Sequence, residues 1–154
     1  MTEPILYDSA TPRFGIPLLF AGQAQKEAYV NEAHALTDAL LHCVIEGQSS
    51  SPPMSPVDGQ AWLVGPSASG EWAGREGELA CRQSGNWLFA TPGTGMRVFD
   101  RSVGQDRRFV DDWIASVAPV EPSGGTTVDA EARAAIHEIV EALRTAGIIP
   151  NLEA

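Results

Sequence analysis

The sequence has little positive charge and no long apolar run, and each shortage excludes a class of protein. Lys and Arg total 10 against 20 Asp and Glu, which gives a formal net charge of −10. This balance excludes the basic stripe that displaces phosphate counterions in nucleic-acid binding, and it disfavours docking on an anionic membrane surface. No apolar run approaches the roughly 20 residues of a membrane span. We therefore expect neither nucleic acid nor membrane as a partner.

Cysteine is also scarce. Cys43 and Cys81 lie in different predicted elements, and they form no CxxC pair. A chain of 154 residues buries enough surface to fold without covalent staples. Two buried free thiols in a reducing cytosol are therefore favoured over a disulfide, which stays the alternative. The first residues lack the basic and apolar pattern of a secretory signal, so we expect a protein made in the cytoplasm.

The signature motifs of enzymes and metal sites are missing as well. No GxSxG, GxxxxGK[ST], GxGxxG or HExxH pattern occurs, and the three histidines have no further ligand at metal-binding spacing. Asp111 and Asp112, with Glu76 and Glu78, supply acids of the kind that glycoside hydrolysis requires. Adjacent acids usually face solvent, however, and the sequence does not place these four around a cleft. We predict no enzymatic activity, no cofactor and no metal.

An apolar segment near the N-terminus is the first feature that is present. Residues 1–20 form a predicted extended arm, because Pro17 restricts Ile16 to extended conformations. The segment either lies as a strand over the chain's own core or docks as a hook on a neighbouring subunit. The predicted oligomer or particle interface in this region consists of Phe14, Ile16, Leu18, Leu19, Phe20, Gln23 and Gln25.

A long amphipathic helix is predicted over residues 23–42. Apolar residues recur at steps of three and four and so share one face. That predicted face consists of Tyr29, Ala33, Leu36, Leu40 and Val44. Asn31 and Asp38 are assigned mainly to the opposite, solvent side. Gly47 and the polar, proline-containing residues after it end the helix.

The middle of the chain predicts a small antiparallel β-meander. Glycine-rich turns separate strands at residues 60–64, 78–82, 87–90 and 96–99. Residues 108–114 form either a closing strand or a one-turn element. With the preceding helix, these strands predict an α+β domain over residues 21–118.

A tethered C-terminal helix completes the predicted architecture. Residues 119–128 form a flexible linker, and residues 129–154 carry a helix with Asp129 or Thr127 as its N-cap. Gly147 is placed to end the helix, with Ile148 folding back on Leu143. The helix would pack on the body, on its own copies or on a partner, and the linker favours the last two. Its predicted interface residues are Ile136, Ile139, Val140 and Leu143.

Four tryptophans remain after these assignments. Trp62 and Trp87 are flanked by apolar strand residues and are expected in the core, where most tryptophans of small β units lie. Trp72 sits beside glycines at a turn and is the better candidate for an exposed ring that stacks on sugars. Trp72 and Trp87 are the predicted glycan contacts.

Several ordered motifs resemble one family. These motifs are RFGIPLL at residues 13–19, AGQAQKE at 21–27, DGQAWLVG at 58–65, GEWAG at 70–74 and GNW at 85–87. Together they resemble an uncharacterised domain family of alphaproteobacterial prophages and gene transfer agents, over roughly residues 10–114. The family has no assigned catalytic residues, so none is carried over.

The resemblance implies a structural virion protein that decorates a phage-like particle and serves host attachment. We expect the base or adaptor of a head spike or fibre, which links capsid or tail proteins to a receptor-binding spike. It would be a homo-oligomer, a trimer or pentamer. It would be cytoplasmic during assembly and then part of the particle. The alternative is a carbohydrate-binding module that attaches the particle to capsule or cell-surface polysaccharide.

Overall fold

Two helices and eight strands make up the part of the chain that this computed structural model describes, residues 10–14, 16–19, 26–120 and 122–151. In chain order the elements are α1 (Lys26–Leu40), β1 (Val44–Ile45), β2 (Gln48–Ser49), β3 (Ala61–Val64), a 3₁₀ turn (Gly70–Trp72), β4 (Leu79–Gln83), β5 (Asn86–Ala90), β6 (Arg97–Asp100), β7 (Gln105–Phe109), β8 (Trp113–Ala115) and α2 (Ala130–Thr145). This content confirms the predicted α+β class. Neither described helix is long and apolar enough to cross a membrane.

The strands form two four-stranded sheets, each of which contains a three-stranded antiparallel meander, whereas the sequence predicted a single meander. The sheets have the orders β1-β6-β7-β8 and β2-β3-β4-β5. The pairs β1–β6 and β2–β3 are parallel, and all other neighbours are antiparallel. Only Glu46 and Gly47 separate β1 from β2, so the chain passes directly from one sheet to the other. It crosses back between β5 and β6, where Pro92 has no N–H to donate to a strand ladder.

The four predicted strands at residues 60–64, 78–82, 87–90 and 96–99 correspond to β3, β4, β5 and β6 within one residue at each end. The segment 108–114 instead contains the end of β7 and the start of β8, which pair as a hairpin with Phe109 opposite Trp113. Neither a single strand nor a one-turn element describes it. The turn at 110–112 has only three residues and lies between two aromatic residues, so the sequence pattern did not reveal that one strand ends and another begins there.

The main core joins α1 to both sheets. Ala35, Ile45, Leu63, Leu79 and Val98 are each no more than 1% exposed and belong to one apolar cluster. Because successive strand residues point to opposite faces, the neighbours of the core residues on β3–β5 point away from it. A second, smaller cluster occupies that other face, with Val64, Trp72 and Ala80 at its centre. The β3–β5 sheet is therefore apolar on both sides.

Helix α1 buries a polar face, which contradicts the predicted one. Its buried residues are Asn31, Ala35 and Asp38, whereas Tyr29 is 79% exposed and Ala33 is also exposed. Of the predicted apolar face, Leu36 and Leu40 do pack against the main core. Polar side chains can be buried when their hydrogen bonds are satisfied, and the N-terminal segment satisfies them here. The helix ends at Leu40, two residues before the predicted end, and the predicted start at residues 23–25 lies outside the described residues.

Helix α2 has the caps that its sequence predicts. The Asp129 side chain accepts a hydrogen bond from the Ala132 N–H at 2.9 Å and so forms the N-cap. At the other end Gly147 has φ of 69°, and the N–H of Ile148 donates to the Leu143 carbonyl at 2.9 Å. This is the Schellman motif, and the prediction is confirmed. The residues just after α2 contact the body, because the Gly147 carbonyl accepts a hydrogen bond from the Asp106 N–H of β7 at 2.7 Å.

Candidate binding surfaces and an acidic cavity

The N-terminal segment is held on α1 by the buried carboxylate of Asp38. This side chain is 1% exposed. It accepts hydrogen bonds from the Thr11 hydroxyl at 2.7 Å, the Arg13 backbone N–H at 3.0 Å and the Phe14 N–H at 2.7 Å. Hydrogen bonds to a charged acceptor are stronger than neutral ones. Asp38 therefore fixes the conformation of the segment at its first turn.

Two further side chains complete this attachment. Asn31 binds the Leu19 backbone twice, since its Oδ1 accepts from the Leu19 N–H at 2.7 Å and its Nδ2 donates to the Leu19 carbonyl at 2.8 Å. The Arg13 guanidinium donates to the carbonyls of Ala39 at 2.7 Å and His42 at 2.9 Å. The last carbonyls of a helix have no partner within it, so Arg13 caps α1.

The predicted interface residues of this segment divide into three groups. Leu18 is only 5% exposed and belongs to the chain's own interior, so its assignment to an intersubunit surface is wrong. Ile16 and Leu19 are half-buried, and Phe14 remains 50% exposed. Phe20, Gln23 and Gln25 lie outside the described residues. Of the two interpretations left open, the described part of the segment fits the one in which it lies over its own domain. It is not an extended strand, however, because residues 12–14 form a turn and an antiparallel bridge joins Ala10 to Pro17.

The α2 surface is only partly covered by the chain itself. Val140 is 2% exposed and packs against the chain's own body, so its assignment to an interface with a partner is wrong. Leu143 is half-buried. Ile136 is 42% exposed and Ile139 is 60% exposed, so the other two predicted interface residues are accessible.

The observed exposure of the tryptophans is the reverse of the predicted one. Trp72 is 0% exposed, so the prediction of an exposed sugar platform at this residue is wrong. The 3₁₀ turn folds its ring onto the outer face of β3–β5, where it meets Trp87 edge to face at 5.0 Å between centroids and Trp62 at 6.3 Å. Trp62 and Trp87 are half-buried rather than enclosed. The neighbouring glycines let the turn close over the sheet, and the buried ring then supplies its core.

Arginines cover part of this aromatic surface. The guanidinium of Arg82 lies 5.0 Å from the Trp87 ring centroid, and that of Arg75 lies 4.7 Å from the Phe89 centroid. Cations placed over aromatic faces are stabilised by the ring quadrupole. A sugar ring that stacked on Trp87 would compete with Arg82 for that ring.

A cavity of about 710 Å³ lies where the two sheets meet. It is lined by residues of β2, β3, β7, β8 and the loops beside them. Four of these are the acids singled out in the sequence, and they are Glu76, Glu78, Asp111 and Asp112. The structure thus brings the two acidic pairs to one cavity although more than 30 positions separate them in the chain. We call this feature the acidic cavity.

Hydrogen bonds hold three of the four carboxylates in place. Glu76 accepts from the Ala68 N–H at 3.0 Å, and Asp112 accepts from the N–H of the next residue at 2.7 Å. Glu78 accepts from the Thr91 hydroxyl at 3.1 Å. Asp111 makes no hydrogen bond or ion pair within the described part of the chain, and it is exposed. Three of the carboxylates are therefore held by the fold, and all four keep free lone pairs.

An aromatic pair forms another wall of the acidic cavity. Phe109 and Trp113 both line it and meet edge to face at 5.4 Å. The Trp113 indole N–H donates to the Gly77 carbonyl at 2.9 Å and so joins β8 to the loop before β4. Sequence reasoning did not assign these two rings to a site. The two rings lie opposite each other because β7 and β8 pair as a hairpin, and the sequence pattern did not predict that hairpin.

Cys43 and Cys81 are free, buried thiols, as the favoured interpretation predicted. Burial raises the pKa of Cys43 to about 11, although the positive charge of Arg13 opposes the shift. Burial raises the pKa of Cys81 to about 12, with a further increase from the nearby Cys43. Reactive cysteines have depressed pKa values, so these two are core residues rather than nucleophiles.

The fold is thus a small two-sheet α+β module with an acidic cavity and an accessible apolar helix surface. The chain belongs to the family described as "Protein of unknown function (DUF2793)", which matches residues 30–114. The match contains β1 to β7 and all residues that line the acidic cavity, while the N-terminal segment and α2 lie outside it. A comparison with curated proteins finds no match.

Proposed function

We propose that this chain is a structural component of a phage-like particle, of the gene-transfer-agent or prophage kind, and acts there as an adaptor at the base of a head spike or fibre. Two lines of argument support the proposal. The ordered motifs between residues 13 and 87 resemble those of such virion proteins. The second line is the accessible apolar surface of α2, which carries the proposal.

Helix α2 gains little stability from its own chain. It has 16 residues, and Val140 is its one buried residue among those described. Helices of this length are marginal in water without tertiary packing. An exposed apolar helix surface on a small domain is typical of an interaction site. We therefore expect the exposed apolar surface of α2 to pack against a partner helix.

The spacing of the exposed residues favours copies of the same helix as that partner. Ala132, Ala135, Ile139 and Ala142 follow the alternating three- and four-residue steps of a coiled coil, with Ile136 beside them. Small residues at these steps let helices approach closely. Closed symmetric assembly through one such surface yields the homo-oligomer that a fibre base or capsid vertex requires.

The decisive experiment compares oligomeric states of the full chain by analytical ultracentrifugation. We expect the wild type to be a trimer or pentamer. Ile136→Glu with Ile139→Glu should weaken association by about tenfold or more, because the charges would be buried in the interface. Ala134→Glu with Thr145→Glu is the matched control, since it adds the same charge on the opposite side of α2 and should leave association unchanged. A wild-type chain that sediments as a monomer, and that mass spectrometry does not find in purified particles, would refute the proposal.

Carbohydrate binding is the second candidate function, and the half-buried rings of Trp62 and Trp87 favour it. Trp87 is the one predicted glycan contact that remains accessible, because Trp72 is buried. We expect binding of capsule polysaccharide to be lost in Trp87→Ala, and to be stronger in Arg82→Ala if Arg82 competes for the ring. Wild-type chain that retains no polysaccharide on an affinity column would exclude this function.

A further inference from the structure

We infer that the acidic cavity binds an organic cation, a primary ammonium or guanidinium group carried on an aliphatic stem. The inference does not depend on a role in a particle. It rests on three properties of the cavity, which are its size, its charge and its aromatic wall.

The size of the cavity suits a small ligand or one long side chain. Its volume of about 710 Å³ falls within the range of ligand-binding pockets. It lies at the edges of two sheets, so the walls are backbone-supported strands and short loops. Trp113 ties two of these walls together through its hydrogen bond to Gly77. The cavity is therefore a preformed feature of the fold.

The charge of the cavity favours a cation. Four carboxylates line it together with a single arginine, Arg107. That arginine is already neutralised, because its Nε and Nη2 atoms each lie 2.7 Å from the carboxylate of fully buried Asp100. Its Nη1 donates to Gln48 at 3.1 Å. The excess of negative charge, in a chain of net charge −10, repels anionic ligands and attracts cations.

One positive group reaches the acids from outside, and it leaves most of their charge unbalanced. Arg75 approaches Glu78 at 3.4 Å, while its side chain is half-exposed and its guanidinium lies over Phe89. An exposed ion pair of this kind contributes little. Glu76, Asp111 and Asp112 have no cationic partner within the described residues. These three carboxylates are available to a ligand.

The aromatic wall selects an organic cation. Phe109 and Trp113 line the cavity beside the carboxylates, and aromatic faces attract ammonium and guanidinium groups. The rings and nearby apolar residues would also cover an aliphatic stem. A bare metal ion fits poorly, because no three acidic, histidine or cysteine side chains of the described residues come close enough to hold one. Glu76, Asp111 and Asp112 instead line the cavity with exposed side chains, which a ligand can reach from solvent.

Isothermal titration calorimetry on the full chain tests the inference. Cadaverine supplies the ammonium probe and agmatine the guanidinium probe, while methyl α-glucoside and glutarate are the neutral and anionic comparison ligands. We expect at least one cationic probe to bind about tenfold or more tightly than either comparison ligand, and to bind more weakly as salt is added. Failure of both cationic probes to bind, or equal binding of the glucoside, would overturn the inference.

Charge-neutral variants locate the site. Asp111→Asn with Glu76→Gln removes two cavity charges while the Gln side-chain carbonyl still accepts the hydrogen bond from Ala68. We expect affinity for the cationic probe to fall about tenfold. Glu71→Gln with Glu131→Gln is the matched control, because both acids are exposed and outside the cavity. Equal affinity of the two double variants would contradict the assignment to this cavity.

A final comparison separates the two sources of such a group. A short peptide with one lysine that binds more tightly than cadaverine would indicate a side chain of a partner protein. Equal or weaker binding of the peptide would indicate a free amine. Either result is consistent with an organic-cation site.

Discussion

Arg13 and Asp38 are joined by two hydrogen bonds, and in each of them the side chain of one residue binds the backbone of the other. The Asp38 carboxylate accepts the Arg13 backbone N–H at 3.0 Å, and the Arg13 guanidinium donates to the Asp38 carbonyl at 2.6 Å. One residue thus fixes the N-terminal segment while the other caps the helix on which that segment lies. The two residues stand 25 positions apart in the sequence, and together they attach the N-terminal segment to the domain.

The first prediction concerns the buried carboxylate. Asp38→Asn should lower the free energy of unfolding by about 3 kcal/mol, because an amide replaces a charged acceptor of three hydrogen bonds and one of its atoms cannot accept. Urea unfolding followed by circular dichroism would measure the change. Glu32→Gln, an exposed position of the same helix, should have almost no effect. Equal midpoints for the two variants would show that the segment adds little stability.

The second prediction concerns Trp72. Trp72→Ala should cost about 4 kcal/mol of stability, because it leaves a cavity beneath the 3₁₀ turn. Trp72→Phe should cost much less, since the buried indole N–H has no hydrogen-bond partner among the described residues and its loss leaves nothing unpaired. Urea midpoints of the two variants check the difference. Normal stability of Trp72→Ala would contradict the enclosed position of this ring.

The third prediction separates the two sides of α2. Val140→Ala should weaken the contact of the helix with the body by about 2 kcal/mol, because a fully buried side chain is truncated. The consequence is faster proteolytic cleavage in residues 119–128 and faster amide exchange in α2. At protein concentrations too low for association, Ile139→Ala removes an exposed side chain and should leave both rates unchanged. The reverse order of effects would mean that α2 packs through its other side.

The fourth prediction follows from the thiol pKa values. In the unfolded chain the thiols lose their protons near the ordinary value of 9.0, whereas the folded chain keeps them to about 11 for Cys43 and about 12 for Cys81. The unfolded state therefore binds fewer protons between pH 9 and 11, and stability falls as pH rises through this window. Urea unfolding at pH 8 and pH 10 measures the loss.

A variant with both cysteines replaced by alanine provides the control for this pH effect. Its stability should fall less over the same interval, because the remaining groups titrate identically in both proteins. The native wild type should also resist thiol reagents at pH 8 and react only after unfolding. Rapid labelling of the folded chain would contradict the burial of the thiols.

Local patterns in the sequence predicted the elements well. The Schellman end at Gly147 and the Asp129 cap are decided by hydrogen bonds within a few residues, so the neighbouring sequence contains all the information that they need. The positions of β3, β4, β5 and β6 were predicted for the same reason, because turns and apolar alternation bound each strand. The α+β class followed from these elements.

Tertiary structure decided which elements and side chains meet. The two-residue strands β1 and β2 pair in parallel with β6 and β3, and no local pattern marks such short strands or their partners. Helical periodicity assigned the polar residues Asn31 and Asp38 to the solvent side. They are buried instead, because the backbone of the N-terminal segment supplies their hydrogen-bond partners.

The sequence by itself thus determined the α+β class, the caps of α2 and the ordered motifs between residues 13 and 87. Only the tertiary structure decided that Trp72 is buried, that Ile139 is exposed and that Glu76 and Asp111 line one cavity. The physical reason is the range of the interactions. Caps and turns are satisfied by groups a few residues away, whereas burial and charge clustering depend on contacts between residues tens of positions apart.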